Sequence, residues 1–126
     1  MASIDDERTR QGFARLHEIH GDRGVETVES LGELGRHIAE FAYGEIYARP
    51  GLSLRERQLV TVGMLTAVGA AAAQLQAHLR ASLAAGISIE EIREVIIHTV
   101  PYAGFPNAMN AWARFDDVLE EDDAAG

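Results

Sequence analysis

The chain has 126 residues, 47% of them apolar, and a formal net charge of −9; its eleven basic residues are all arginine, and cysteine is absent. One domain with a real core is expected at this length. The missing thiols exclude disulfides, thiolate metal sites and cysteine nucleophiles, the missing lysines exclude Schiff-base catalysis and a P-loop, and the acidic balance argues against a nucleic-acid partner.

In chain order, the residues resolve into helices separated by short breaks. Three copies of one helix-start signal occur, Ser30-x-x-Glu33, Ser53-x-x-Glu56 and Ser88-x-x-Glu91, with a weaker one at Ser3-x-x-Asp6. In such a box the serine accepts from a free N–H of the first turn and the acidic residue reaches back to the cap. An N-terminal helix over residues 3–20, with Phe13, Leu16 and Ile19 on one face, is expected to end at Gly21. A second helix starts at Ser30. Leu31, Leu34, Ile38, Phe41, Ala42 and Ile46 form its apolar face, and Arg49-Pro50-Gly51 ends it. From Leu54, apolar positions lie almost all round the next helix, which is therefore expected to be central, with a bend at Gly69. Leu75, Leu79 and Leu83 carry a further helix to a left-handed cap at Gly86. Ile89, Ile92, Val95, Ile96 and Val100 mark another, disturbed at its end by Pro101 and Gly104. Pro106 suits the first turn of a last helix bearing Met109, Trp112, Phe115, Val118 and Leu119. No alternating run of strand length competes with this pattern. The expected fold is a single all-α bundle of about six helices over residues 1–126, with a core over about 30–120 and an acidic solvated tail over 116–126.

No basic start followed by an apolar run opens the chain, so no signal peptide is expected. The longest apolar stretch, Val62 to Ala73, is interrupted by Gly63, Thr66 and Gly69 and falls short of the roughly 20 residues that cross a bilayer. A cytoplasmic protein without membrane partners is the expectation.

Polar chemistry falls to histidine, arginine, carboxylates and tyrosine. His17 and His20 are three apart with no acidic partner at metal spacing, which favours a surface role, and His37 lies on the polar side of its helix. His78 sits between Leu75 and Leu79 on an apolar stripe, as either a satisfied core residue or a general acid or base. His98 follows Glu94 by four residues and precedes Tyr102 by four, so the three can share one face, for surface pairing or for catalysis. Glu45 lies beside Ile46 near the buried stripe, and Arg49 sits where the helix breaks. A buried carboxylate there requires a partner or a raised pKa; an exposed Glu45 with Arg49 capping the last carbonyls is the alternative.

Several stretches together resemble the carboxymuconolactone decarboxylase family. They are Gly44-Glu-Ile-Tyr-Ala-Arg-Pro-Gly-Leu52, Arg55-x-Arg57, Gln76-Ala-His78-Leu79, Ala81-x-x-Ala84-x-Gly86, Glu90-Glu-Ile-Arg-Glu94 and Tyr102-Ala-Gly-Phe-Pro106, in order over about residues 30–120. The resemblance implies an alkylhydroperoxidase D-like helical subunit that assembles as a homotrimer or homohexamer. It also implies a cofactor-free, metal-free decarboxylation of 4-carboxymuconolactone in aromatic catabolism. The family features nearest the active site fall on Glu45, Arg49 and His78, with His98 and Tyr102 on a neighbouring helix turned towards the pocket.

Two departures are visible. The peroxidase branch relies on a Cys-x-x-Cys pair before the histidine, where this chain has Ala71-Ala-Ala-Gln-Leu-Gln-Ala-His78, so peroxidase chemistry is excluded. Many members carry a glutamate early in the central helix, where this chain has Gln58. On the implied chemistry, Arg49 holds a carboxylate of a small anionic substrate. His78 or His98 supplies the proton; for His78, Glu45 orients or recharges the ring. The alternatives are another enzyme on the same scaffold, such as an isomerase, cyclase or lactone-processing enzyme, and a non-enzymatic binding or assembly protein.

Overall fold

A computed structural model describes residues 4–125, so the Ser3-to-Asp6 start signal lies outside the described residues at its first position. The all-α class holds: no strand occurs among the described residues. The chain divides after Leu54 into two compact units.

In the first unit, α1 spans Ile4–Glu29 and breaks at Gly21, whose φ of 69° and ψ of −163° are not helical. The expected end at Gly21 is thus a kink, and helix resumes beyond it. Leu16 and Ile19 are buried before the kink and Val28 after it. Ser30 does not cap the next helix. Its N–H donates to the Glu26 carbonyl at 3.1 Å and its hydroxyl to the Thr27 carbonyl at 2.6 Å, so it closes α1 instead. The start moves to Gly32, which caps α2 (Glu33–His37) without a side chain.

The α2 helix continues into a π-helical stretch, Ile38–Ile46, whose last turn is marked by the Tyr47 N–H donating to the Ala42 carbonyl at 2.8 Å. The expected apolar face is not the buried one. Leu34 and Phe41 are 61% and 58% exposed, while Gly35, Ala39, Glu40 and Tyr43 are buried. Gly35, Ala39 and Tyr43 recur at four-residue steps, and the small residues among them decide the contact. A Cβ at Gly12 would lie 2.3 Å from the Ala39 carbonyl oxygen, so α1 and the π-helical stretch approach backbone to backbone.

The second unit holds α3 (Leu54–Val68) beyond its first residue, α4 (Ala72–Ala84), α5 (Ile89–His98), α6 (Val100–Ala103) and α7 (Phe105–Ala125). Its core joins Val62, Leu75, Leu79, Ile87, Ile92, Ile96, Ala108, Ala111, Phe115 and Val118. The expected central burial of α3 on all sides is not met. It buries the single stripe Gln58, Val62 and Thr66, and leaves Val60, Met64 and Val68 exposed.

The predicted Gly86 cap is present. With φ at 87°, Gly86 lets its own N–H reach the Leu83 carbonyl and the Ile87 N–H reach Ser82, closing α4. The Ser88 box also forms: the hydroxyl accepts from the Glu91 N–H and the Glu91 carboxylate accepts from the Ser88 N–H, both at 3.0 Å. Asn107 fastens α7 to the end of α3 by donating to the Ala67 carbonyl at 3.1 Å. Arg93 binds α5 to α7, with its guanidinium 4.0 Å from the Trp112 ring centre and 2.8 Å from Asp116.

Candidate active site

In the second unit, α4 carries His78 into the core beside α3. The ring is 9% exposed, and its Nδ1 stands 3.1 Å from Oε1 of Gln58, which is 1% exposed. Ser82, one turn further along α4, donates its hydroxyl to the His78 carbonyl at 2.7 Å and so secures the turn that bears the ring. Gln58 follows from the stripe in which Val62 and Thr66 succeed it at four-residue steps. Its Nε2 is buried with no hydrogen-bond partner among the described residues.

An open groove of about 600 Å³ runs between α3, α5 and α6. Its lining is mostly apolar, with Leu59, Gly63, Met64 and Val95 along the walls, while Glu94, His98 and Tyr102 supply polar atoms. These three residues line one groove rather than one helix face, Glu94 and His98 from α5 and Tyr102 from α6. The His98 and Tyr102 rings are 6.1 Å apart, and Tyr102 is 84% exposed. His78 is not part of this lining.

In the first unit, Glu45 is exposed rather than buried and borders a smaller polar groove with Arg8, Gln11, Glu40 and Gly44. Arg49 is exposed in the turn after the π-helical stretch, where its N–H donates to the Ile46 carbonyl at 3.1 Å. The buried carboxylate of this segment is Glu40, which local spacing did not single out. Thr9 donates to it at 2.9 Å and Arg36 at 3.1 Å. Its pKa is held below the ordinary carboxylate value, chiefly by the Thr9 hydroxyl and then by the Arg36 and Arg8 charges, against the opposing effect of burial.

His17 is exposed and pairs with Asp22 at 2.8 Å, and His37 is exposed, both as expected from the surface pattern. His20 departs from it. The ring is half-buried, and Nε2 lies 2.9 Å from the hydroxyl of buried Tyr43, which stacks on Tyr47 with ring centres 5.0 Å apart. Burial pushes the Tyr43 phenol far above its ordinary pKa. Among the described residues, nowhere do three or more His, Cys, Asp or Glu side chains cluster as metal ligands, and no helix is long and apolar enough to cross a membrane.

The family model for carboxymuconolactone decarboxylases matches residues 32–117. The chain belongs to the carboxymuconolactone decarboxylase family. Among its relatives, a 4-carboxymuconolactone decarboxylase of Acinetobacter baylyi is 34% identical over 122 residues, covering 93% of this chain and 90% of that protein. A nitrosuccinic acid decarboxylase of Metarhizium robertsii is 36% identical over 75 residues, or 59% of this chain and 51% of that one. An uncharacterised 15.0 kDa protein of Paracoccus denitrificans is 35% identical over 87 residues, 68% of this chain and 65% of that protein. The two relatives with a named activity are both decarboxylases, so at the level of the family this carboxymuconolactone decarboxylase relative is a carboxy-lyase.

Proposed function

We propose that the protein is a cofactor-independent decarboxylase of a small anionic lactone, 4-carboxymuconolactone, acting in the cytoplasm in aromatic catabolism. The observation that carries this reading is the likeness to the Acinetobacter baylyi enzyme along nearly the whole of both chains. The chemistry suits the residue inventory. When the C–COO⁻ bond breaks, the electron pair passes through the conjugated double bond to the lactone carbonyl, so the substrate is its own electron sink. The pair returns as a C–H bond formed with a proton from the protein.

His78 supplies that proton. The support is a ring held by Gln58 and nearly sealed from water, where a positioned acid typically contributes about 10²- to 10⁴-fold in rate. Arg49 binds a substrate carboxylate, a task for which a guanidinium fork is suited. Glu45 acts as a proton carrier, and His98 and Tyr102 contact the substrate from the apolar groove. Self-association as a homotrimer or homohexamer accounts for the exposed Met64, Val68 and Ile97, and light scattering of the purified protein tests it.

The deciding experiment follows loss of 4-carboxymuconolactone spectroscopically. Turnover by the wild type is expected, with kcat reduced at least about 100-fold in His78→Ala and Glu45→Gln at unchanged assembly. Near wild-type turnover in both variants would sink the assignment of roles. A folded wild type that leaves the lactone untouched would favour a second reading, decarboxylation of another acid, which the likeness to the nitrosuccinic acid decarboxylase supports.

A further inference from the structure

A side-chain amide carries two N–H donors on one nitrogen, enough to bind two carbonyl groups at once. Asn107, in the first turn of α7, uses both in that way. Its Nδ2 lies 3.1 Å from the carbonyl oxygen of Ala67 and 3.4 Å from that of Ala103. Two carbonyl partners require the NH₂ end of the amide, so they fix its orientation. Ala67 belongs to the last turn of α3 and Ala103 ends α6. The last carbonyls of a helix have no partner within the helix itself, and an outside donor satisfies them. Both alanines line the apolar groove, one from each helix, while Asn107 itself is outside the lining.

We propose that Asn107 is a positioning residue that sets the width of this groove at its α6 end and so limits the bulk of the carboxylic acid bound there. The identity of that acid rests on the decarboxylase reading above; the tie between the two helices does not.

One nitrogen holds both walls, so they cannot separate at this end unless a hydrogen bond breaks. The backbone leaving α3 is shaped to admit the amide. Gly69 has φ at 77°, and a Cβ on it would lie 2.6 Å from Asn107 Oδ1, so glycine serves there both for its conformation and for the room it leaves. At the other end, Arg55 in the first turn of α3 pairs with Glu91 in the first turn of α5. Both partners of that pair are exposed, and an exposed ion pair holds weakly. Between the two ties the walls are mostly apolar, and such contacts are non-directional and do not fix a spacing. Asn107 is thus the firmer determinant of width. Tyr102 immediately precedes Ala103, so the same bond holds the turn that bears Tyr102 against the groove. An acid that fits between the walls binds without loosening them. A broader one must break the tie, and its affinity is lowered by that loss.

The test uses the full-length protein and two variants. Asn107→Asp keeps the shape of the side chain, removes both donors and sets a carboxylate against two carbonyl oxygens; its charge suits the first turn of α7, so the helix is retained. Asn107→Ser removes the reach without adding charge. NMR signals of the His98 and Tyr102 rings are followed during titration with a narrow acid, cyclopentanecarboxylate, and a broad one, adamantane-1-carboxylate. The preference for the narrow acid over the broad one is expected to fall about tenfold in both variants relative to wild type. With 4-carboxymuconolactone, KM is expected to rise about three- to tenfold while kcat stays within about twofold, because His78 is not part of the lining. A purely structural role would lower Tm and leave the preference between acids unchanged. That result in folded variants would overturn the proposal, as would carboxylates that leave both ring signals of the wild type unmoved. A shifted preference in a protein that does not decarboxylate the lactone would refute that substrate and support the role of Asn107.

Discussion

Gly63 offers a single methyl group that separates stability from function. It lies inside α3 outside the left-handed region, and a Cβ built on it would meet only Val95 Cγ1, at an ordinary 3.6 Å. Glycine in a helix interior costs about 1 kcal/mol relative to alanine, so Gly63→Ala is expected to stabilise the protein by about 0.5–1 kcal/mol. For a chain of this size that corresponds to a rise in Tm of about 2–6 °C. Gly63 also lines the open groove with Glu94, His98 and Tyr102. The added methyl intrudes on whatever binds there, and one methylene in a pocket is worth about 1–3 kcal/mol of discrimination. The expected result is a higher Tm together with a kcat/KM lowered about tenfold for the lactone. Thermal melts followed by circular dichroism, run beside steady-state decarboxylation, check both. A lower Tm would refute the space inferred beside Val95. A higher Tm with unchanged kinetics would refute the groove as the substrate's binding face.

The opposite outcome is expected at Gly12, where a Cβ would sit 2.3 Å from the Ala39 carbonyl oxygen and no flexible side chain can yield. Overpacking of about 1–3 kcal/mol outweighs the helix-propensity gain, so Gly12→Ala lowers Tm; an unchanged or higher Tm would show the two backbones to be further apart. The Glu91 carboxylate is held below its ordinary value of 4.5, first by Arg55 and then by the Ser88 N–H. Its contribution is therefore complete above about pH 4.5 and is lost as the pH falls through the lowered folded value, because protonation removes the charge that both partners bind. Urea unfolding should find Glu91→Gln less stable than wild type at pH 7, with the gap closing below pH 4; a gap constant with pH would contradict this.

Local signals served where the energy is local. The Ser88 box and the Gly86 cap involve residues within one turn of each other, and both form. Ser30 carries the same four-residue pattern and fails. The resumption of α1 after Gly21 reaches it first, and nothing within four residues reveals that. The second helix fails for a different reason. Its buried side is set by the close approach of Ala39 to Gly12 of α1, so the expected apolar face turned outward and Glu40, not Glu45, became the buried carboxylate. Contacts remote in sequence were invisible for the same reason. His20 finds Tyr43 across 23 residues and His78 finds Gln58 across 20, and no periodicity connects such pairs. The grouping of Glu94, His98 and Tyr102 was legible because all three lie within eight residues of one another, although the break after His98 puts Tyr102 on the next helix.

Gln58 also differs in kind from the other buried polar residues of the second unit. Thr66 donates to the Val62 carbonyl at 2.8 Å and Ser82 to the His78 carbonyl at 2.7 Å, each within one turn of its own helix. A hydroxyl can satisfy itself in this way at little cost. A glutamine amide in the same stripe cannot, and Nε2 of Gln58 has no partner among the described residues. Methionine has a similar length, fills such a site without an orphaned donor, and avoids a penalty of about 1–3 kcal/mol. If stability alone chose this residue, an apolar side chain would serve better. Among the described residues, Gln58 holds the ring of His78. The chain therefore keeps a buried amide against the His78 ring where an apolar side chain would fit, and a departure of this kind from good packing is characteristic of a working site.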